Sequence, residues 1–211
     1  MKETFLFDFD GTLVDSMPTY AGLMLRILKE NNVAHGDDII KIITPLGFIG
    51  TAKYFREKLG MDMEEDALVA LMREYATYEY ANNIPAKSNV ISVLQKLKER
   101  GADLNVLTAS PHSSLDPCLK RLGIWDIFSN VWSCDDFGTT KADPNIYRMA
   151  ADRMGVSAEE VWFLDDNINA DKTAIAAGMK VCGVYDDSSE DLVDEMKAVC
   201  HRYIYDFTEL L

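Results

Sequence analysis

Two carboxylates near the amino terminus have a spacing suited to chemistry on a phosphate group. Residues 7–12 read FDFDGT and follow a short apolar run of the kind found in buried strands. Asp8 and Asp10 are two residues apart, so their side chains point to the same side of an extended chain. Gly11 permits a tight turn in which backbone N–H groups face an anion, and Thr12 adds a hydroxyl. The segment therefore predicts a phosphate site beside a pair of carboxylates.

A calcium-binding loop is the alternative interpretation, because an EF-hand loop also opens with Asp-x-Asp. Such a loop requires a glycine at its sixth position and a helix before it. Here the sixth position is Leu13, the fifth is Thr12, and an apolar strand comes first. The pattern therefore favours phosphate chemistry over calcium binding.

The DxDGT motif after a first strand resembles the leading motif of the haloacid dehalogenase-like superfamily. Three further motifs of that family are recognisable in the expected order, and each follows or adjoins a predicted strand. They are residues 106–110 (VLTAS), residues 141–144 (KADP), and residues 163–171 (FLDDNINAD) with residues 176–179 (AAGM) after them. Four ordered motifs are far more specific than any one of them, and the resemblance covers essentially the whole chain.

The resemblance implies a role for each matching residue. Asp8 would be the nucleophile and a Mg²⁺ ligand, and Asp10 the general acid and base, with its backbone carbonyl also on the metal. Asp166 would complete the metal ligands, since it matches the acidic ligand when one counts back from Gly178. Thr108 would hydrogen-bond the transferring phosphoryl group, and Lys141 would neutralise charge on Asp8 and on the phosphate.

Substrate binding is expected from the turns that follow the first two strands. The residues concerned are Gly11, Thr12, Ala109 and Ser110. The fourth motif departs from the family pattern, because the position four places after Asp166 is Ala170 where another Asp or Asn is common. Asn169 or Asp171 could take its place, and the role of Asp165 stays open.

Single residues of this kind usually have simpler explanations. A threonine after a strand is generally a turn former, and an isolated lysine is generally solvated. A loop histidine such as His112 is more often incidental than in contact with substrate. Asp15 and Ser16 more readily start a helix than take part in catalysis.

Alternating strands and helices must position these motifs. Apolar runs predict parallel strands, and the amphipathic segments between them end in glycine, as αβ loops do. The predicted strands are residues 5–7, 104–107, 131–132, 161–164 and 180–184, and the predicted helices are residues 90–100, 115–122, 144–154 and 170–177. This alternation predicts an α/β fold with a doubly wound, Rossmann-like parallel sheet.

One stretch shows only helical periodicity, from Ser16 to Ile84, with apolar positions such as Leu23, Phe55 and Leu68. We therefore expect two domains: an α/β catalytic core of residues 1–15 and 85–211, and an inserted helical cap of residues 16–84. Leaving the core just after the first strand would place the cap near the carboxyl ends of the strands, where ligands bind in such sheets.

Composition and charge narrow the possible partners. The net charge of −14 would repel a nucleic-acid backbone, so we expect no nucleic-acid partner. It would also repel a small phosphorylated metabolite, so the site needs a local cation, for which oxygen ligands favour Mg²⁺. The absence of a signal-peptide pattern and of long apolar runs predicts a cytoplasmic protein without a membrane partner. A monomer is expected.

These observations predict a Mg²⁺-dependent phosphatase that hydrolyses a small phosphate monoester through an aspartyl-phosphate. A phosphomutase of the same superfamily would hold a second phosphate, yet residues 45–51 contain no Lys or Arg; the nearest cations are Lys53 and Arg56. Tyr20 also stands where those mutases typically have a histidine.

Two further alternatives are a metal-independent dehalogenase, which would not need Asp10 as an acid, and a catalytically silent phosphate-binding protein. A silent protein would not need the full set of motif residues, which comprises Asp8, Asp10, Thr108, Lys141 and Asp166. Phosphoglycolate, sugar phosphates and nucleoside monophosphates all stay open as substrates.

Overall fold

The chain divides into two compact units. The computed structural model describes residues 3–211, apart from the side chain of Pro45, so Met1 and Lys2 of the predicted core and the Pro45 side chain of the predicted cap lie outside it. One unit runs up to Asp15 and resumes with Pro85–Leu211, and the other is Ser16–Ile84. Each unit has its own apolar core.

The first unit is built on a six-stranded sheet in which every neighbouring pair is parallel. The strands are β1 (Thr4–Phe7), β2 (Asp103–Thr108), β3 (Asn130–Ser133), β4 (Val161–Asp165), β5 (Lys180–Val184) and β6 (Arg202–Ile204), in the order β3-β2-β1-β4-β5-β6. The predicted α/β, doubly wound sheet is confirmed. The edge strand β6 was not predicted, because three residues are too few to show a period.

Nine α-helices lie in the described part of the chain. The α/β unit holds α5 (Val90–Glu99), α6 (His112–Arg121), α7 (Pro144–Met154), α8 (Ile168–Ala176) and α9 (Val193–Val199), and the helical unit holds α1 (Met17–Glu30), α2 (Ile39–Ile43), α3 (Gly47–Glu57) and α4 (Glu65–Asn82). The predicted bounds of α7 are confirmed, with Gly155 ending it at φ +75°. Helix α6 begins three residues earlier than predicted, because polar residues occupy its first turn, and α8 begins two residues earlier, at Ile168.

Strand β1 is central and fully buried, as its apolar sequence requires. Phe7 pairs with Val106 on one side and Leu164 on the other. The strand order reverses between β1 and β4, so the connections after these two strands leave on opposite faces of the sheet. The resulting crevice at the carboxyl ends of β1 and β4 is where a ligand binds in such sheets.

The helical unit has a separate core. Its fully buried side chains include Ile27, Ile43, Phe55, Leu68 and Met72. Leu59 and Leu71 are partly buried and pack against this core. None of the described helices has the length and apolar character that a bilayer crossing requires.

The chain leaves and re-enters the α/β unit at one point. Val14 and Ala86 form an antiparallel bridge, and the Asp15 N–H donates to the Pro85 carbonyl at 3.0 Å. The Lys87 N–H donates to the Leu13 carbonyl, also at 3.0 Å. The residues that flank the 16–84 segment, Asp15 and Pro85, are therefore adjacent within the α/β unit.

We predict that the α/β unit folds without the helical unit. Because Asp15 and Pro85 are hydrogen-bonded neighbours, replacing residues 16–84 by a linker of about four residues, Gly-Asn-Gly-Ser, closes a short hairpin at low entropic cost. Circular dichroism should show a single cooperative thermal transition with the helix and strand content of the remaining chain. A broad, non-cooperative melt would contradict two independently packed cores.

His112 joins the first turn of α6 to the segment after β3. Its Nδ1 lies 2.7 Å from Asp116 Oδ1 and its Nε2 lies 2.9 Å from Asp136 Oδ2. A protonated imidazole donates to both carboxylates. Two hydrogen bonds raise the pKa of His112, the one to Asp116 having the larger effect and the one to Asp136 the smaller. The His112 side chain thus forms ion pairs with Asp116 and Asp136 when the imidazole is protonated.

We predict that His112 stabilises the fold mainly at acidic pH. Because its folded-state pKa is raised, its contribution is fully present below the unfolded value of about 6.5 and is lost as pH rises through the folded value. Urea unfolding should show that His112→Gln is more destabilising at about pH 5.5 than at about pH 9. The exposed His35, changed to Gln, is the control and should show no such difference. An equal effect of His112→Gln at both pH values would contradict the ion-pair assignment.

Candidate active site

The carboxyl ends of β1, β2 and β4 bring the predicted catalytic residues into one part of the α/β unit. Asp8 directly follows β1 and its N–H donates to the Leu164 carbonyl at 2.8 Å. Thr108 is the last residue of β2, and Asp165 is the last of β4. Asp8, Thr108 and Asp165 are all buried, with exposed fractions of 6%, 1% and 1%.

Lys141 lies at the centre of this group. Its ammonium donates to Asp8 Oδ1 and, at 2.8 Å, to Asp165 Oδ2. Its main chain is held by Tyr147, whose hydroxyl lies 3.2 Å from both the Lys141 and the Ala170 carbonyl oxygens. The Tyr147 ring packs edge-on against Phe163. The first turn of α7 therefore holds the main chain of Lys141 in place. The structure thus places Lys141 beside Asp8 and gives Asp165 a partner.

Burial sets the protonation behaviour of this pair. It raises the pKa of Asp8 to about 8, despite the opposing charge of Lys141. Burial acts to lower the pKa of Lys141, but Asp165 and Asp8 raise it well above its usual value. The lysine is therefore firmly cationic, and Asp8 is held in a site where negative charge is costly.

Three carboxylates form a possible cation site. Asp8, Asp165 and Asp166 each offer an oxygen, and these atoms lie within 4.8 Å of one another. When all three carboxylates are ionised, they carry three negative charges, and Lys141 compensates one of them. Burial, followed by the charges of Asp165 and Asp8, raises the pKa of Asp166 well above its usual value. An all-oxygen set with two charges in excess fits a hard divalent cation such as Mg²⁺.

The turn after Asp10 is built around Asp166. The Thr12 hydroxyl donates to Asp166 Oδ1 at 2.9 Å. Gly11 has φ +75°, and a Cβ added there would lie 2.5 Å from Asp166 Oδ2. Both the backbone conformation and the close approach of the carboxylate therefore require glycine at position 11.

The loop after β2 holds Asp10. The Ser110 hydroxyl donates to Asp10 Oδ2 at 2.5 Å, and the Ser110 N–H donates to Thr108 Oγ1 at 3.0 Å. Ala109 is exposed between them. The predicted substrate-binding residues of the first two motifs thus lie next to the predicted acid and base.

Within residues 3–211, neither Asn169 nor Asp171, the two candidates to replace the acidic residue missing at position 170, hydrogen-bonds Asp8 or Asp166. Asn169 is exposed, and its N–H donates to Asn167 Oδ1 at 2.9 Å in the cap of α8. Asp171 is buried and accepts from Cys200 Sγ at 3.1 Å. Burial raises the pKa of Asp171 to about 8. The Ala170 carbonyl instead accepts the bond from Tyr147.

Sequence reasoning missed two features. It left Asp165 without a role, whereas its oxygens accept from Lys141 and, at 2.8 Å, from the Asn167 N–H. It also passed over Lys87, whose ammonium donates to the Gly11 carbonyl at 2.7 Å. A lysine outside the motifs carries no sequence signal, because its partner lies 76 residues away.

Comparison with known proteins identifies the family. The sequence pattern of the haloacid dehalogenase-like hydrolases matches residues 2–178. A phosphoglycolate phosphatase from Colwellia psychrerythraea is 30% identical over 192 residues, which cover 87% of this chain and 84% of that protein.

Solved structures share the fold. CbbY from Rhodobacter sphaeroides in complex with phosphate superposes with a TM-score of 0.81 at 21% identity, covering 100% of this chain and 96% of that one. YfnB from Bacillus subtilis, bound to magnesium, gives 0.77 at 19% identity, covering 99% and 96%. At such identities the likeness concerns the fold alone, whereas the family pattern covers most of the chain. The chain belongs to the haloacid dehalogenase-like hydrolases.

Proposed function

We propose that this protein is a Mg²⁺-dependent phosphatase that hydrolyses a small phosphate monoester through a covalent aspartyl-phosphate on Asp8. The observation that carries the proposal is the position of Asp8. It is a buried carboxylate at the end of the central strand, paired with Lys141 and within reach of a second carboxylate pair. The phosphatase name of the Colwellia relative supports the same activity.

The cation would be held by Asp8, Asp166 and the backbone carbonyl of Asp10. Asp165 belongs to the acidic cluster but already accepts hydrogen bonds at both oxygens, so it holds Lys141 and the start of α8. When bound, Mg²⁺ would offset the charge of the carboxylates and polarise the phosphoryl oxygens. The magnesium bound to YfnB, which has the same fold, supports this choice of metal.

In the first step an Asp8 carboxylate oxygen attacks phosphorus, and the bond from phosphorus to the ester oxygen breaks. Asp10 gives its proton to the departing alcohol oxygen. Lys141 stays cationic and faces the charge that spreads over the transferring group. The Thr108 hydroxyl and the Thr12 N–H would supply hydrogen-bond donors around it, while Ser110 holds Asp10.

In the second step water attacks phosphorus and the bond to Asp8 breaks, which releases inorganic phosphate. Asp10, now ionised, takes the proton from the attacking water. The hydrogen bond from Ser110 to Asp10 orients the carboxyl group in both steps. Asp8 and Asp10 are thereby returned to their starting states.

Hydrolysis is favoured over a mutase reaction by the helical unit. Tyr20 occupies the position of the mutase histidine, and its hydroxyl lies 3.2 Å from Thr51 Oγ1 while its ring stacks on Phe48. Burial raises the pKa of Tyr20 above its usual value, which makes it a poor proton carrier near neutral pH. We also propose that residues 16–84 act as a cap that selects the small phosphorylated substrate, and that the protein works as a cytoplasmic monomer.

We predict that Asp8→Asn abolishes turnover. With Mg²⁺ and p-nitrophenyl phosphate, the wild type should release phosphate, EDTA should stop the reaction, and excess Mg²⁺ should restore it. An amide cannot form the acyl phosphate, so Asp8→Asn should lower kcat by about 10³-fold or more. Asp152→Asn, at an exposed position of α7, is the control and should keep full activity. Appreciable turnover by Asp8→Asn would contradict the assigned nucleophile.

We predict that the effect of Asp10→Asn depends on the leaving group. An alkyl alcohol needs a proton to depart, whereas p-nitrophenolate leaves as an anion. The substitution should therefore lower kcat/KM by about 10²–10⁴-fold for the best substrate among phosphoglycolate, sugar phosphates and nucleoside monophosphates. It should lower kcat/KM for p-nitrophenyl phosphate far less. Equal losses on both substrates would rule out Asp10 as the general acid.

A further inference from the structure

Lys87 uses all of its side-chain donors on the α/β unit. Its ammonium donates to the Gly11 carbonyl at 2.7 Å, to the Tyr185 carbonyl at 2.5 Å, and to Asp186 Oδ2 at 2.9 Å. An ammonium has three N–H groups, so none is left for solvent. The side chain is only 19% exposed. This is not the solvated surface lysine that its sequence context suggests.

The same residue also binds the turn through its main chain. The Lys87 N–H donates to the Leu13 carbonyl at 3.0 Å, while the ammonium binds the Gly11 carbonyl. Thr12 lies between these two carbonyls. Lys87 therefore binds the peptide group just before Thr12, the residue that hydrogen-bonds Asp166, and the peptide group just after Leu13.

Holding the Gly11 carbonyl fixes the rest of that peptide group. In a trans peptide the C=O and the following N–H point in opposite directions, so the Thr12 N–H is directed away from Lys87. The turn has little freedom, because a Cβ on Gly11 would meet Asp166 at 2.5 Å. A small shift of the turn therefore moves the Thr12 hydroxyl and the Asp10 carbonyl relative to Asp166.

The other partner of Lys87 is itself rigid. Asp186 is 5% exposed, and its Oδ1 accepts from the Ser188 N–H at 3.0 Å and the Ser188 hydroxyl at 2.6 Å. Lys87 thus connects the turn after β1 to a fixed loop after β5. In addition, its charge compensates Asp186, whose negative charge acts on Asp166.

We propose that Lys87 is a positioning residue for phosphoryl transfer, which holds the Asp10–Thr12 turn at the geometry that the reaction needs by binding the Gly11 carbonyl. The proposal rests on the proposed function. It differs from two simpler roles: neutralising Asp186, and stabilising the fold.

The test compares Lys87→Met, Asp186→Asn and the double variant with wild type. Methionine keeps the unbranched stem but removes the donors. We expect Lys87→Met to lower kcat on p-nitrophenyl phosphate by about 10–100-fold, because small misplacements at a reacting centre have effects of this size. KM should change by less than about threefold, because the change affects the reacting geometry. Lys172→Met, which removes an exposed ion pair with Glu195, is the control.

The double variant separates positioning from charge compensation. If Lys87 acts through the Gly11 carbonyl, Lys87→Met/Asp186→Asn stays as slow as Lys87→Met. Recovery of the double variant to the rate of Asp186→Asn would overturn the proposal, as would a kcat of Lys87→Met within about twofold of wild type.

Hydrogen exchange gives a readout that needs neither metal nor turnover. In metal-free protein, amides of residues 11–14 should exchange faster in Lys87→Met than in wild type and in Lys172→Met. Unchanged exchange there would overturn the proposal. If wild type itself shows no phosphatase activity with Mg²⁺, the proposed function fails, and the exchange comparison still decides the role of Lys87.

A second variant, Lys87→Arg, keeps the proposal testable if Lys87→Met does not fold. If Lys87→Met lacks a cooperative thermal transition, Lys87→Arg takes its place, because a guanidinium keeps the charge but cannot place its donors on the three acceptors of a compact ammonium. We then expect a cooperative transition, faster exchange at residues 11–14, and about a tenfold lower kcat. Wild-type kcat in Lys87→Arg would overturn the proposal.

Discussion

The electrostatic conflict among buried carboxylates governs the α/β unit. One carboxylate oxygen of each of Asp8, Asp165 and Asp166 lies within 4.8 Å of the others, and the side chains of Asp8 and Asp165 are buried while that of Asp166 is partly buried. Such an arrangement is unfavourable unless cations compensate it. Lys141 supplies one charge by bridging Asp8 and Asp165, and a divalent ion would supply the rest. The site therefore holds an excess of negative charge, which the proposed divalent cation would offset so that a phosphate group could bind.

The fold holds these charges in place through a few rigid connections. The order of the strands places Asp8 and the Asp165–Asp166 pair on neighbouring strands with their carboxyl ends together. Tyr147 fixes the main chain of Lys141, and Gly11 lets the turn approach Asp166 closely. The return segment at Pro85 pairs with the segment that leaves at Asp15. The turn of residues 10–12 is thus continuous with the paired segments from which the helical unit departs.

Much of this arrangement could be predicted because local sequence determines it. Apolar runs and terminal glycines predicted five of the six strands and four of the five helices of the α/β unit. The ordered motifs singled out Asp8, Lys141 and Asp166, and in the structure Asp8 contacts Lys141 and shares an acidic cluster with Asp166. The remainder depends on contacts between distant residues. Packing across the sheet decides which of two adjacent acids accepts from Lys141 and why Lys87 is only partly exposed, and neither feature has a periodic or compositional signal. The edge strand β6 was missed because its three residues are too short to show alternation.

The covalent intermediate is the claim on which the account depends, and chemical trapping tests it most directly. Asp10→Asn protein, in which attack by water is slowed, can be mixed with Mg²⁺ and p-nitrophenyl phosphate, quenched in acid and reduced with borohydride. An acyl phosphate on aspartate is then converted to homoserine, which peptide mass spectrometry locates. The account predicts homoserine at position 8, dependent on substrate and absent when Asp8 is also changed to Asn. Substrate turnover without modification at position 8, or with modification at another residue, would contradict it.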